Sequence, residues 1–100
     1  MSLHINPVGE QAGRVAIVTG GSSGIGRGAA NELARQGASV VVHGLNIDEA
    51  NLVVQEIRLA GGVAVAIAGP IDDPETSLSA VALALSEFGQ LDVLVTSAGI

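Results

Sequence analysis

The sequence predicts an α/β fold in which a parallel sheet packs between layers of helix, and three observations point there. Hydrophobic residues make up 48% of the 100, yet Phe88 is the sole aromatic, so the core must be built from Val, Ile, Leu and Ala. That is the usual filling of a parallel sheet covered by helices. Short apolar, largely β-branched runs alternate with longer stretches of helical period, the pattern of right-handed crossovers. Glycines or helix-capping residues stand at the boundaries, and the length suits a single domain.

Each element can be justified in order. Residues 1–13 (MSLHINPVGEQAG) are a polar leader, expected to be flexible and separate from a domain spanning 14–100. Residues 14–19 (RVAIVT) read as a strand ended by glycines. Residues 24–36 read as a helix because Ile25, Ala29 and Leu33, with Ala30 and Ala34, recur at helical spacing before Gly37, a C-terminal cap. Residues 39–43 (SVVVH) form a second strand, and residues 48–60 a helix with Ala50, Val53, Val54 and Ile57 on one face, stopped by Gly61 and Gly62. Residues 63–68 are a third strand. Asp73-Pro74-Glu75 opens the next helix with a cap acceptor, a proline in the first turn and an acid near the positive end of the dipole. Leu78, Val81, Ala82 and Leu85 are its expected buried face and Gly89 its end; residues 91–96 (LDVLVT) are a fourth strand.

Composition narrows the function. With no cysteine there is no disulfide frame, thiolate metal site or cysteine nucleophile, and a cytoplasmic setting is the easiest to reconcile with that usage. The longest strictly apolar runs, 63–68 and 80–85, are far too short to span a membrane, and the leader lacks the basic start of a signal peptide. The net charge of −6 is uneven: residues 1–47 hold three arginines against two glutamates, and residues 48–100 hold Arg58 against eight carboxylates. An anionic ligand is therefore expected in the first half. Four scattered arginines and one aromatic ring do not make a nucleic-acid surface.

The turn after the first strand carries the chemistry. Gly20-Gly21-Ser22-Ser23-Gly24 fits G-x-S-x-G, the nucleophile elbow, but the only later histidine, His43, comes too early and at a strand end to complete a triad. Gly21 and Gly26 have the spacing of a mononucleotide phosphate loop, but Arg27 and Gly28 replace its lysine and hydroxyl residue. A turn without a ligand leaves unexplained why Gly20, Gly24 and Gly26 meet at the first strand–helix junction, where helix N–H donors are exposed. A dinucleotide cradle accounts for them: glycines turn the chain sharply, let pyrophosphate approach bare backbone and let the helix lie close on the sheet. Gly24, Gly26 and Ala29 match G-x-G-x-x-G/A, and the wider string Thr19-Gly20-x-x-x-Gly24-Ile25-Gly26 is more specific.

With that string the chain resembles the short-chain dehydrogenase/reductase family. The likeness covers 14–100, including Phe88-Gly89-Gln90-Leu91-Asp92-Val93-Leu94-Val95 ahead of the place where the family carries Asn-Asn-Ala-Gly. It implies a three-layer Rossmann-like sheet, here partial, with four strands in the order 3-2-1-4 and three helices. It implies a nicotinamide dinucleotide, with Gly20, Ser22, Ser23, Gly24 and Ile25 lining the pyrophosphate and the nicotinamide-side ribose. Gly24 and Gly26 would also permit close packing, while Thr19 and Arg27 would be structural.

Three departures from the family pattern stand out. Thr96-Ser97-Ala98-Gly99 replaces both asparagines by hydroxyl residues, leaving Ser97, Ala98 and Gly99 to present backbone beside the ribose. Pro70 and Ile71 occupy the positions of an aspartate and an apolar residue that flank the adenine; Asp72, two residues on, reads as a solvated loop acid. At the end of the second strand, His43-Gly44-Leu45-Asn46 offers neither the acid that holds the ribose of NAD nor the arginine that accepts the extra phosphate of NADP. With no carboxylate there, the reading tilts toward NADP over NAD, with Asn46 as a neutral contact.

The family's catalytic tyrosine and lysine have no counterpart, since neither residue type occurs here, and no catalytic or metal-ligating residue is assigned. The resemblance places that segment beyond residue 100, so the expectation is the cofactor-binding portion of a longer oxidoreductase acting on a small carbonyl or alcohol. On that reading the fourth strand would be an exposed apolar edge and the isolated chain marginal. The alternative is a non-catalytic dinucleotide-binding or interaction module that pairs through this edge. Homo-oligomers fit either reading, the family's usual dimer and tetramer helices lying beyond Ile100.

Overall fold

Short apolar segments assemble into one parallel sheet in this computed structural model, which describes residues 10–96. The elements are β1 (Val15–Thr19), α1 (Gly24–Arg35), β2 (Ser39–Gly44), α2 (Ile47–Leu59), β3 (Val63–Ala68), α3 (Pro74–Phe88) and β4 (Val93–Thr96). The strand order is β3-β2-β1-β4, as the sequence implies, with Val15 opposite Ser39, Ser39 opposite Val63 and Ala16 opposite Val93.

Alternation along the strands divides the core in two. Val18, Val40, Val42 and Ala64 turn toward α1 and α2, where they meet Ala30, Ala34, Ala50, Val53, Val54 and Ile57. Val15, Ile17 and Val41 turn toward α3 and meet Ala80 and Ala84. Helices therefore cover both faces, completing three layers. The expected inward face of α2 is the one observed.

The helix ends follow from their residues. The N–H groups of Gly37 and Ala38 return to the carbonyls of Ala34 and Leu33, and those of Gly61 and Gly62 to Arg58 and Ile57, so α1 and α2 close with the same paired motif. Asp73 caps α3 through Glu75 N–H at 2.9 Å, and Gly89, in the left-handed region at φ 80°, ends it. Asn46 starts α2 one residue earlier than the periodicity implies, its Oδ1 accepting from the N–H groups of Asp48 and Glu49. The fourth strand begins two residues later than expected, because Asp92 gives the N–H of Val15 a carboxylate at 2.8 Å and leaves the ladder to start at Val93.

One expectation fails. Leu78, Val81, Ala82 and Leu85 do not form the buried face of α3; all four are exposed, Leu78 by 69% and Leu85 by 51%. Thr76, Ala80 and Ala84 face the sheet instead. The helix is apolar around most of its circumference, so its period cannot choose a face, and close approach to the sheet selects the smaller side chains. A Cβ on Gly69, just past β3, would lie 2.5 Å from the Thr76 hydroxyl, which shows how near α3 comes.

Candidate dinucleotide-binding site

All four strands end on the same edge of a parallel sheet, so the loops that follow them converge. The order β3-β2-β1-β4 puts the topological switch point between β1 and β4, where Thr19 lies opposite Thr96. Ligands of open α/β sheets bind outside the carboxyl ends of strands at such a point. The Gly20–Ser23 turn opens there, flanked by the ends of β2 at Gly44–Asn46 and of β3 at Gly69–Ile71.

The turn divides into a supported part and an open part. Gly21 and Gly26 are buried. A Cβ on Gly21 would lie 2.9 Å from the Val18 carbonyl oxygen and 3.2 Å from Val42, so the loop is seated directly on the sheet. Ser22 is half-buried, and a Cβ on Gly44 would come within 2.8 Å of its hydroxyl oxygen. By contrast Ser23, Gly24 and Ile25 face solvent, Ile25 by 69%. Gly24 has φ 57° with nothing near its missing side chain, so bare backbone is presented outward at the start of α1.

Electrostatics distinguish this helix end from the other two. Asn46 caps α2 and Asp73 caps α3, and both helices carry acids in the first turn. At α1 the cap residue Ser23 makes no side-chain cap bond and the first turn holds no acid. The N–H donors and the positive end of the α1 dipole are thus left for an anion from outside the helix. Arg27 is turned away to an ion pair and hydrogen bond with Glu56 of α2; that bond raises the Arg27 pKa and lowers that of Glu56. The pair braces α1 against α2 beneath the cradle.

The loops after β2 and β3 carry other residues picked from sequence. Pro70 and Ile71 are exposed just past β3, as Leu45 and Asn46 are past β2. Asn46 uses its Oδ1 as a helix cap, leaving only its amide nitrogen to meet a ligand. Ser97, Ala98 and Gly99 lie outside the described residues. Thr19 donates from Oγ1 to the Val95 carbonyl at 3.3 Å, tying β1 to β4.

Sequence reasoning passed over three supports: Gly21, Gly44 and His43. The first two matter through close approach of residues distant in sequence, Val42 to Gly21 and Ser22 to Gly44, which nothing local announces. His43 is 2% exposed and bonded at both ring nitrogens, a role that a single histidine ending an apolar run does not reveal.

Comparison with known proteins agrees with this geometry. The model of the short chain dehydrogenase family matches residues 14–100. A 2,5-dichloro-2,5-cyclohexadiene-1,4-diol dehydrogenase of Sphingobium indicum is 45% identical over 89 residues, which are 89% of this chain and 36% of that protein. The crystal structure of a hydroxysteroid dehydrogenase from Escherichia coli superposes with a TM-score of 0.87 at 41% identity, covering 90% of this chain and 38% of the other. A metagenomic short-chain oxidoreductase crystallised with NADP superposes at 0.81 with 36% identity, covering 89% of this chain and 40% of the other. The chain thus spans about a third of the length of the curated relatives it matches. On its glycine signature, its strand order and these likenesses, the chain belongs to the short chain dehydrogenase family.

Proposed function

We propose that this chain is the dinucleotide-binding portion of an NAD(P)-dependent oxidoreductase that moves a hydride between nicotinamide and a small carbonyl or alcohol. The observation that carries the reading is the first turn of α1, which alone among the three helices of the described residues has neither a side-chain cap nor an acid. A pyrophosphate supplies both the acceptor oxygens and the negative charge missing there. Gly20, Ser22, Ser23 and Gly24 would hold it, with Ile25 against the nicotinamide-side ribose and Gly26 letting α1 lie close to the sheet. Asn46 would meet the adenine ribose, Pro70 and Ile71 the adenine, and the backbone of Ser97, Ala98 and Gly99 the second ribose.

When bound, the cofactor supplies the hydride chemistry; the described residues bind and orient it. The proton relay and the substrate pocket would come from the remainder of a longer protein, of which residues 14–100 are the cofactor domain. Within the NAD(P) class the preference is for NADP, supported by the neutral Gly44-Leu45-Asn46 end of β2. The acids of the next turn, Asp48 and Glu49, keep that preference modest. Among the described residues no helix is long and apolar enough to cross a membrane; a cytoplasmic setting and self-association belong to the proposal.

Calorimetric titration of the chain with NADPH and NADH tests this reading. Both should bind, NADPH a few-fold more tightly, and Ser23→Asp, which supplies the missing cap acceptor and negative charge from the chain itself, should weaken binding strongly while the fold persists. No binding of either at millimolar concentration would overturn the cofactor assignment, and tighter binding of NADH would overturn the preference.

A further inference from the structure

His43 ends the apolar run of β2, and its side chain is enclosed at 2% exposure where three strand ends meet. Its Nδ1 lies 3.1 Å from the N–H of Gly20, the first residue of the cradle, and its Nε2 lies 2.8 Å from the carbonyl oxygen of Gly69, just past β3. Backbone bonds flank the ring: Gly21 N–H donates to the His43 carbonyl at 2.7 Å, and Gly69 N–H to the Gly44 carbonyl at 3.1 Å. These partners fix the ring's chemistry. An amide N–H can only donate and a carbonyl oxygen can only accept, so Nδ1 must be the bare acceptor and Nε2 must carry the proton. A doubly protonated ring would set two donors against each other at Nδ1.

The loops joined by this ring are the two that the proposed cofactor would use at separate places, the Gly20 turn for pyrophosphate and the Gly69–Ile71 turn for adenine. We propose that His43, neutral and protonated on Nε2, is a positioning residue that locks the phosphate turn to the adenine turn and so sets cofactor affinity without touching the cofactor. The proposal rests on the dinucleotide reading for its consequence but on the ring's own bonds for its geometry. A preformed turn holds its N–H donors in place before the ligand arrives, and affinity rises because less ordering accompanies binding. The two bonds need not contribute equally. The one to Gly20 sets the cradle itself; the one to Gly69 orients the ring and the adenine side.

Two conservative variants separate them, because an asparagine amide reaches about as far as Nδ1 and a glutamine amide about as far as Nε2. His43→Asn retains an acceptor for the Gly20 N–H but releases the Gly69 turn and should bind NADPH about threefold more weakly than wild type; His43→Gln, which keeps only the Gly69 side, should bind about tenfold more weakly. Loss of affinity in both variants, the larger in His43→Gln, is what a ring joining the two turns requires; either variant binding as wild type would overturn the lock.

The ring's nitrogen-15 spectrum in the wild-type chain is the second measurement and stands even if neither variant folds. A neutral ring protonated on Nε2, coupled across the hydrogen bond to the Gly20 amide, is expected; protonation on Nδ1 would overturn the proposal. Should wild type bind neither NADPH nor NADH, the cofactor reading falls, and the lock is then decided by this spectrum alone.

Discussion

On one face of the sheet α1 and α2 bury Ala30, Ala34, Ala50, Val53, Val54 and Ile57 against Val18, Val40 and Val42; on the other, α3 alone buries Ala80 and Ala84 against Val15, Ile17 and Val41. The second face leaves Leu78 and Leu85 in solvent, together with Leu94 of β4, which is 61% exposed opposite Ile17. The two faces are similar in composition and differ in how far helices cover them. The well-covered face is also the one that seats the cradle, since Gly21 rests on Val18 and Val42, and Ser22 on Gly44 beside Ala50 of α2. Rigidity is therefore placed under the loop that needs it, and the side chains left outward on α3 contribute little to holding the loop still.

The largest test of this contrast is a matched pair of truncations. Ile57, 1% exposed between α2 and the sheet, should cost about 2–4 kcal/mol as Ile57→Ala, whereas Leu85→Ala on the outward side of α3 should cost less than about 1 kcal/mol. Urea denaturation of both variants measures the difference. Equal losses would erase the distinction between the faces.

The next test sets two glycines of the covered side against each other. Gly44→Ala brings a methyl group into the Ser22 side chain, 2.8–2.9 Å away, and should destabilise by about 1–3 kcal/mol while weakening dinucleotide binding. Gly28 lies inside α1 with an ordinary helical φ and nothing within 4 Å of its missing Cβ. Gly28→Ala should therefore stabilise by about 0.5–1 kcal/mol through helix propensity alone. Thermal melts of the two variants should move in opposite directions; a Gly28→Ala that melts lower would place unseen constraint on the open side of α1.

What could be read from the sequence follows the same division. The inward face of α2 was legible because Ala50, Val53, Val54 and Ile57 are set off by polar neighbours such as Asp48, Asn51, Gln55 and Arg58. The face of α3 was not, because Val81, Ala82, Leu83, Ala84 and Leu85 follow without a polar break and hydrophobicity alone favours the larger side chains. The glycine-rich turn was legible because Gly20, Gly24 and Gly26 fall within one short stretch of sequence. Its supports were not, since His43 reaches across to Gly20 and Gly69, and Gly44 across to Ser22, contacts that exist only once the strands are in register.

The smallest expected effect concerns the seam between β1 and β4, where the less covered face ends. The Asp92 carboxylate accepts from Val15 N–H at 2.8 Å and from Gln90 Nε2 at 2.6 Å, and these bonds, the backbone one foremost, hold its pKa below the usual aspartate value. A carboxyl whose pKa is depressed by folding binds its proton more readily when unfolded. Its contribution is therefore complete above the ordinary aspartate value and is lost as pH falls through the depressed one. Glu32, lowered to about 2 by its hydrogen bonds to Arg35 and Gln36, acts in the same direction but within α1, where it cannot affect the pairing of strands. Asp92→Asn keeps an acceptor for Val15 N–H and removes the titration, so urea midpoints at pH 7 and pH 3 should lie closer together in the variant than in the wild type. A wild-type difference that survives unchanged in Asp92→Asn would move the acid sensitivity away from the seam and onto the exposed ion pairs of α1 and α2.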